Sequence, residues 1–513
     1  MTSLGSAAKR AFKVGRIAVA ARTLKRAIDE ESRERAARAL SGLMADARGV
    51  PMKVGQLMAS QSIDGPFQEL VHSIDPIPLE QIVPILEDAW GRPLATVLKE
   101  FHPSKHAASI GQVHRATLLN GQEVAIKVRY PDISAAIDAE MRLAGLMPGV
   151  GPVKRWGFDL DGYRTTLRAN LERELDYLNE SDRQVQFAAN NQIEGLVVPK
   201  VTRHLCRDGI LVQRWEPGDR WSVATQWRPE ARRTVATTLL HTLFSALFRG
   251  GEVHGDPHPG NYAFRGPGPQ VVLFDYGCTI PVSARTRTSL LKLIQCTRSG
   301  IDDNLLAIFV DMGFDCEKLG EIRDDLPALA RALFQPFVGD RDFDTASWNL
   351  STELSSILGE RRWWFRSAGP PELMLLMRAF QGITQQLEQL DIQLCWWKEL
   401  CKIIPTETLA HARTYSPRQP TIRPHSRDPD VLPTAKDLCV RVMKGPKQLV
   451  RLKLPARAAL DLVSLVPEDV RHALRREGTD LGRIQSRLTS TGLHPQEIFA
   501  LDDGDKRYRI WLE

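Results

Sequence analysis

The stretch that most constrains this chain runs from Gly250 to Gly277. It reads Gly-Gly-Glu-Val-His-Gly-Asp-Pro-His-Pro-Gly-Asn-Tyr-Ala-Phe, then a Gly/Pro turn at 266–269, then Val-Val-Leu-Phe-Asp-Tyr-Gly. Two short apolar segments on either side of such a turn predict a hairpin of residues 262–264 and 271–274. A hairpin brings its outer ends together. The loop carrying Asp256 and Asn261 is therefore expected beside Asp275, with two carboxylates and an amide converging.

Hard oxygen donors in this arrangement suit Mg2+ bound to phosphates better than zinc. The spacing sharpens the reading. Protein kinases place a catalytic Asp five residues before an Mg2+-binding Asn, then a hairpin, then Asp-Phe-Gly. Here Asp256 and Asn261 are also five apart, and Asp275-Tyr276-Gly277 stands in the Asp-Phe-Gly position. Two rival readings are weaker. A solvated Gly/Pro-rich loop would leave the agreement between spacing, hairpin and second motif to chance. A metal cluster of His254, Asp256 and His258 would need an extended segment, and Pro257 and Pro259 favour an irregular loop.

A second strand pair lies upstream. Ala107-Ala108-Ser109-Ile110-Gly111-Gln112-Val113-His114-Arg115-Ala116, Asn120-Gly121 and Glu123-Val124-Ala125-Ile126-Lys127-Val128 carry a strong hairpin signal. Lys127 ends a Val-Ala-Ile-Lys of the kind that grips nucleotide phosphates. No Gly-rich loop precedes it; Ala107, Ala108, Ser109 and Gly111 are small enough for their backbone N–H groups to approach phosphates instead. Such a lysine needs an acidic partner, and Glu140 (at kinase-like spacing) and Glu174 are both candidates. Residues 210–218 read as a strand leading into a hinge, and 231–249 as an apolar helix stopped by Gly250-Gly251. There is no Ala-Pro-Glu after Asp275 and a helix restarts near 285, which argues against peptide substrates. The Trp pairs at 363/364 and 396/397 are read as core.

The 513 residues, 43% hydrophobic and 25% charged, suffice for more than one folded unit. Seven cysteines lack paired spacing, so free thiols in a reducing compartment are expected, with Cys278 a small buried residue. No apolar run is long enough to cross a bilayer, so no transmembrane helix is expected, and no secretory signal is expected either. The net charge of +6 is concentrated: residues 436–489 carry 12 Lys/Arg against 6 Asp/Glu. The first 26 residues hold seven Lys/Arg and no acid, and 8–27 read as a basic amphipathic helix. Its face would lie on an anionic membrane, serve as a transit peptide, or be merely solvated. Basicity alone admits nucleic acid, but no motif supports it.

Taken together, Lys53-Val54-Gly55-Gln56, Ala107 through His114, Val-Ala-Ile-Lys127, Glu174-Leu175-Asp176, His254-Gly255-Asp256 through Asn261, and Asp275-Tyr276-Gly277 resemble the UbiB/AarF-type atypical kinases linked to ubiquinone biosynthesis. The likeness covers about residues 40–400. It implies Glu174 rather than Glu140 as partner of Lys127. It makes Lys53 and Gln56 parts of an extension that packs over the active site, touches Asp176 and shuts out peptides. It also implies an Ala-rich loop favouring ATP hydrolysis or small-molecule phosphorylation, and a setting in isoprenoid-lipid or quinone metabolism near a membrane.

The expected architecture is an α+β, bilobal protein-kinase-like fold with a small antiparallel-sheet N-lobe, a helical C-lobe and an N-terminal helical extension. Its parts are a basic helical segment (1–48), the extension (49–104, helical over 78–101), the N-lobe with an insert (105–218), the C-lobe (219–413), a linker (414–434) and a basic helical tail (435–513). Lys127 and Asp256 are the expected catalytic residues, Asn261 and Asp275 the Mg2+ ligands, and ATP the nucleotide. A quinone precursor or isoprenoid lipid is the expected further ligand, and a cytoplasmic location peripheral to a membrane the expected setting. A phosphotransferase of aminoglycoside or choline kinase type, and a non-catalytic ATP-gated lipid-binding scaffold, are the alternatives.

Overall fold

Helix α1 (Leu79–Trp90) forms because Ile82, Leu86 and Trp90 recur every four residues, and all three are buried on one stripe. Gly91, at φ +65°, closes it and Pro93 follows. The helix expected over 78–101 therefore ends early, and Leu98–Phe101 is strand β1 instead. The computed structural model describes residues 76–104, 110–131, 133, 158–266, 268–301, 304–418 and 435–513. The expected segment 1–48, the Lys53 and Gln56 motif, the candidate Glu140 and most of the linker lie outside these residues.

Strands β2 (Gly111–Leu118) and β3 (Glu123–Arg129) form the expected hairpin, with Gly121 at φ +84° in the turn. The antiparallel sheet runs β1-β2-β3-β5, where β5 is Ile210–Arg214. Strand β3 is thus central, and Lys127 lies opposite Val113 on one side and Leu211 on the other. Helices α2 (Leu160–Leu175) and α3 (Tyr177–Asn190) precede β4 (Leu196–Val197). Asp176 breaks the run between them, its side chain accepting from the Asn179 N–H to cap α3. Tyr177 of α3 joins Leu86, Ile126, Leu171 and Val212 in the N-lobe core.

The hinge is fixed to the second lobe by backbone pairing. Asp219 and Phe264 exchange hydrogen bonds of 2.7 and 2.9 Å. Helix α4 (Pro229–Ser245) runs through a final wide turn into Gly251, at φ +73°, which turns the chain into β6 (Glu252–His254). The predicted hairpin is present as β7 (Tyr262–Arg265) and β8 (Gln270–Leu273), and β6 pairs with β9 (Thr279–Pro281). Helix α5 (Ala284–Ser299) restarts where expected. The helical lobe continues through α6 (Leu350–Leu358), α7 (Arg362–Ala368) and α8 (Glu372–Gln389). Trp396 is fully buried in its core, as read from sequence, whereas Trp363 is only half-buried.

The tail is not helical as expected. Strands β10 (Asp437–Lys444), β11 (Lys447–Pro455), β12 (Gln496–Asp503) and β13 (Lys506–Leu512) make an antiparallel sheet in the order β11-β10-β13-β12. Helices Glu468–Arg476 and Leu481–Thr491 lie between β11 and β12 in sequence. Leu438, Leu474, Leu488 and Leu512 belong to a core of its own. Period-two alternation in 437–444 and 447–454 outweighs the basic composition. None of the seven cysteines forms a disulfide, and Cys278 is among the buried ones. Among the described residues no helix is long and apolar enough to cross a membrane.

Candidate active site

Strand β3 aims Lys127 into the cleft, where its ammonium lies 3.0 Å from both carboxylate oxygens of Glu180 and 3.2 Å from Asp275 Oδ2. The Tyr177 ring lies beneath it, 4.7 Å from Nζ to centroid. Glu180, one turn into α3, is therefore the acidic partner. Glu174 is not. It ends α2 before the break at Asp176, and its carboxylate accepts from Asn170 Nδ2 at 3.2 Å.

One cation thus serves two carboxylates, and the consequences differ for each partner. Burial pushes Lys127 down, but Asp275 and Glu180 more than offset it, so the ammonium is held well above its usual value. Burial pushes Glu180 up to about 7, with Asp275 adding to the rise and Lys127 opposing it. The folded protein then binds this proton more tightly than the unfolded chain does. As pH rises from about 4.5 to about 7, wild type is expected to lose stability relative to Glu180→Gln, as urea melts across that range would register.

Asp275 is one of few non-glycine residues at positive φ, +53°. The peptide that follows it is gripped from both sides. Its carbonyl is 2.6 Å from His254 Nε2, and its N–H, that of Tyr276, donates to Glu180 Oε1 at 3.2 Å. Burial holds His254 below its usual value, so the neutral ring donates through Nε2. Asp275 Oδ1 accepts from the Gly277 N–H at 3.1 Å. Three elements, β3, α3 and β6, thereby converge to hold a backbone conformation that an aspartate rarely adopts unaided.

The hairpin brings the Asp256 loop alongside. Asn261 Nδ2 donates to the Asp256 carbonyl at 2.9 Å, and the Asn261 carbonyl accepts from the Phe274 N–H at 2.8 Å. With its NH2 so committed, the Asn261 side chain has its oxygen to offer a cation. That oxygen and Asp275 form a hard donor set that fits Mg2+ on a nucleotide's phosphates. The His254, Asp256 and His258 alternative is not supported, since His254 turns to Asp275. No group of three His, Cys, Asp or Glu placed to hold a metal occurs among the described residues.

Sequence reasoning missed the helix that backs this loop. On α8, Arg378, Gly382 and Gln386 recur every four residues. Arg378 Nη2 donates to Asp256 Oδ1 at 2.7 Å, and Gln386 Nε2 to the Pro257 carbonyl at 2.8 Å. Between them, a β-carbon at Gly382 would overlap the Pro257 ring. Gly382→Val is therefore expected to destabilise the protein by about 1–3 kcal/mol through overpacking, measurable in a denaturant melt. The signal was a pair of polar residues eight apart, with Gly382 midway, on the same side of the helix as Leu375, Ala379 and Ile383.

The remaining expected residues are placed as follows. Ala107, Ala108 and Ser109 lie outside the described residues. Gly111 begins β2 and is buried, and a β-carbon there would come within 2.7 Å of the Tyr177 hydroxyl, so packing alone requires glycine. Asp176 caps α3, but its expected contact with Lys53 and Gln56 falls outside the described residues. Just after that extension, Gln112 holds both the N–H and the carbonyl of Ile77, at 2.7 and 2.9 Å.

A β3 lysine, a helical glutamate, an Asp/Asn loop and an Asp-Tyr-Gly turn between two lobes define a kinase-like phosphotransferase fold. Residues 69–303 match the ABC1 atypical kinase-like domain, in keeping with the likeness to UbiB/AarF-type kinases. It is 28% identical to the uncharacterised slr0889 of Synechocystis sp. over 47% of this chain and 65% of that protein. With the mitochondrial atypical kinase COQ8 of Saccharomyces cerevisiae it shares 24% over 66% of this chain and 70% of the other. The chain spans about half to two thirds of the length of several curated relatives that it matches. The solved complex of Rv3197 with erythromycin from Mycobacterium tuberculosis shares the fold, with TM-score 0.50, 24% identity, and coverage of 73% of this chain and 97% of that one.

Proposed function

We propose that this chain binds Mg-ATP between its lobes and cleaves or transfers the terminal phosphoryl group, supporting isoprenoid-lipid or quinone metabolism at a membrane surface. The observation that carries the proposal is the joint hold of Lys127 and Glu180 on Asp275 and its following peptide. Lys127 holds the phosphates, with its ammonium kept charged and aimed by Glu180. Asn261 and Asp275 hold Mg2+, whose charge offsets that developing on the transferred group. Asp256 orients the attacking hydroxyl or water and accepts its proton. Arg378, ion-paired to the same carboxylate, sets the direction in which Asp256 points. The lipid or quinone setting rests on the resemblance and on mitochondrial COQ8 kinases among the relatives.

The test is Mg2+-dependent phosphate release from ATP by wild type and Asp256→Asn, with and without anionic liposomes and a quinone-precursor-like phenol. Turnover by wild type alone, accelerated by lipid, is expected. ATP binding by both proteins with turnover by neither would replace the enzyme with a nucleotide-gated binding protein.

A further inference from the structure

Away from the cleft, α6 and α7 enclose a cavity of about 290 Å3. Arg362 and Arg366 stand one turn apart on α7 and lie over the same Trp363 ring, at 5.6 and 5.1 Å from its centroid. Both line the cavity. Their charges are poorly matched. Arg362 Nη1 donates to Ser355 Oγ at 3.0 Å, and its Nη2 is 3.8 Å from Glu360. Arg366 makes no ion pair among the described residues, whereas neighbouring Arg361 is paired with Asp325 at 2.9 Å and turns elsewhere. Burial and then the Arg362 charge push Arg366 below the usual guanidinium range. Arg362 is half-buried and Arg366 exposed, so water screens part of the repulsion between these two like charges, and an anion lying between them would relieve the rest.

We propose that this cavity binds the phosphate of a phosphate-bearing ligand, gripped between the Arg362 and Arg366 guanidinia. The planar forks of two arginines match phosphate oxygens, each able to make paired N–H···O bonds. Ser351 and Ser355 add hydroxyls to the wall, and Leu354, Leu358 and Phe365 offer an apolar side to the organic remainder. The same chemistry is carried by a soluble diphosphate and by a phospholipid headgroup. The site shares no residue with the nucleotide cleft, so it stands or falls independently of the reading above.

The test uses the full chain as wild type, Arg366→Gln and Arg366→Lys. Titration calorimetry measures binding of inorganic pyrophosphate, and co-sedimentation measures binding to phosphatidylcholine vesicles with or without phosphatidic acid. Arg366→Gln is expected to melt no lower than wild type without ligand, because a like charge has gone. It is expected to lose roughly tenfold or more in affinity for at least one probe, with Arg366→Lys intermediate because it keeps charge but not the fork. Loss confined to pyrophosphate identifies a soluble ligand, and loss confined to phosphatidic acid vesicles a headgroup. Unchanged binding of both probes by Arg366→Gln, or binding of neither by wild type, would overturn the proposal.

Discussion

Lys127→Met is expected to abolish nucleotide binding and to destabilise the protein by about 3–5 kcal/mol at pH 8, since it leaves Glu180 buried with no cation beside it. The loss depends on pH. Glu180 already holds its proton up to about pH 7 in wild type, and without the ammonium it would hold it higher still. Once protonated it no longer needs a counter-charge, so the penalty is expected to shrink toward pH 5.5. Denaturant melts of wild type and variant at the two values check this. An equal loss at both would mean that methionine disturbs packing and not charge.

The second large effect is expected at Arg378, a residue 122 positions beyond the aspartate it serves. Arg378→Leu would leave the Asp256 carboxylate, largely buried, without its cation, at about 3–5 kcal/mol. Turnover should fall more than ATP affinity, because Asp256 meets the acceptor and not the nucleotide. Arg378→Lys keeps a charge but loses the planar fork, and should recover stability better than turnover. Comparing kcat with KM for ATP separates the two roles. Equal damage to both parameters would make Arg378 a general support of the lobe.

What could be read from the sequence was what chemistry ties to close spacing. Asp256, Asn261 and Asp275 sit within twenty residues around a turn, and the structure brings them together because a hairpin leaves little choice. Lys127 was legible for the same reason, on a strand flanked by Asn120-Gly121. Its partner was not. Glu174 and Glu180 are six residues apart, and only the cap at Asp176 separates their helices and sends the second glutamate into the cleft. The available signal was Glu180 on the same face of α3 as Tyr177, Gln184 and Phe187, a charged residue where an apolar one would be expected.

Arg378 and Gln386 were hidden by distance along the chain, since nothing local says which loop a helix will back. The C-terminal unit was misread for another reason. Its charge suggested a helical tail, while Asp503-Gly504 between 496–503 and 506–512 carried a hairpin signal that composition obscured. Gly504 takes φ +65° there, and Gly445 takes +52° in the turn between β10 and β11. Charge speaks to partners and solubility; period and turn chemistry speak to fold.

Asp275 is expected to work with Mg2+ on a bound nucleotide. The direct measurement is phosphate release from ATP by wild type and Asp275→Asn across a magnesium titration, with ATP binding followed in parallel. Asparagine keeps the shape of the side chain but removes its charge. Magnesium-dependent turnover is expected in wild type and none in the variant. Unchanged turnover in Asp275→Asn, with the same magnesium dependence, would contradict it.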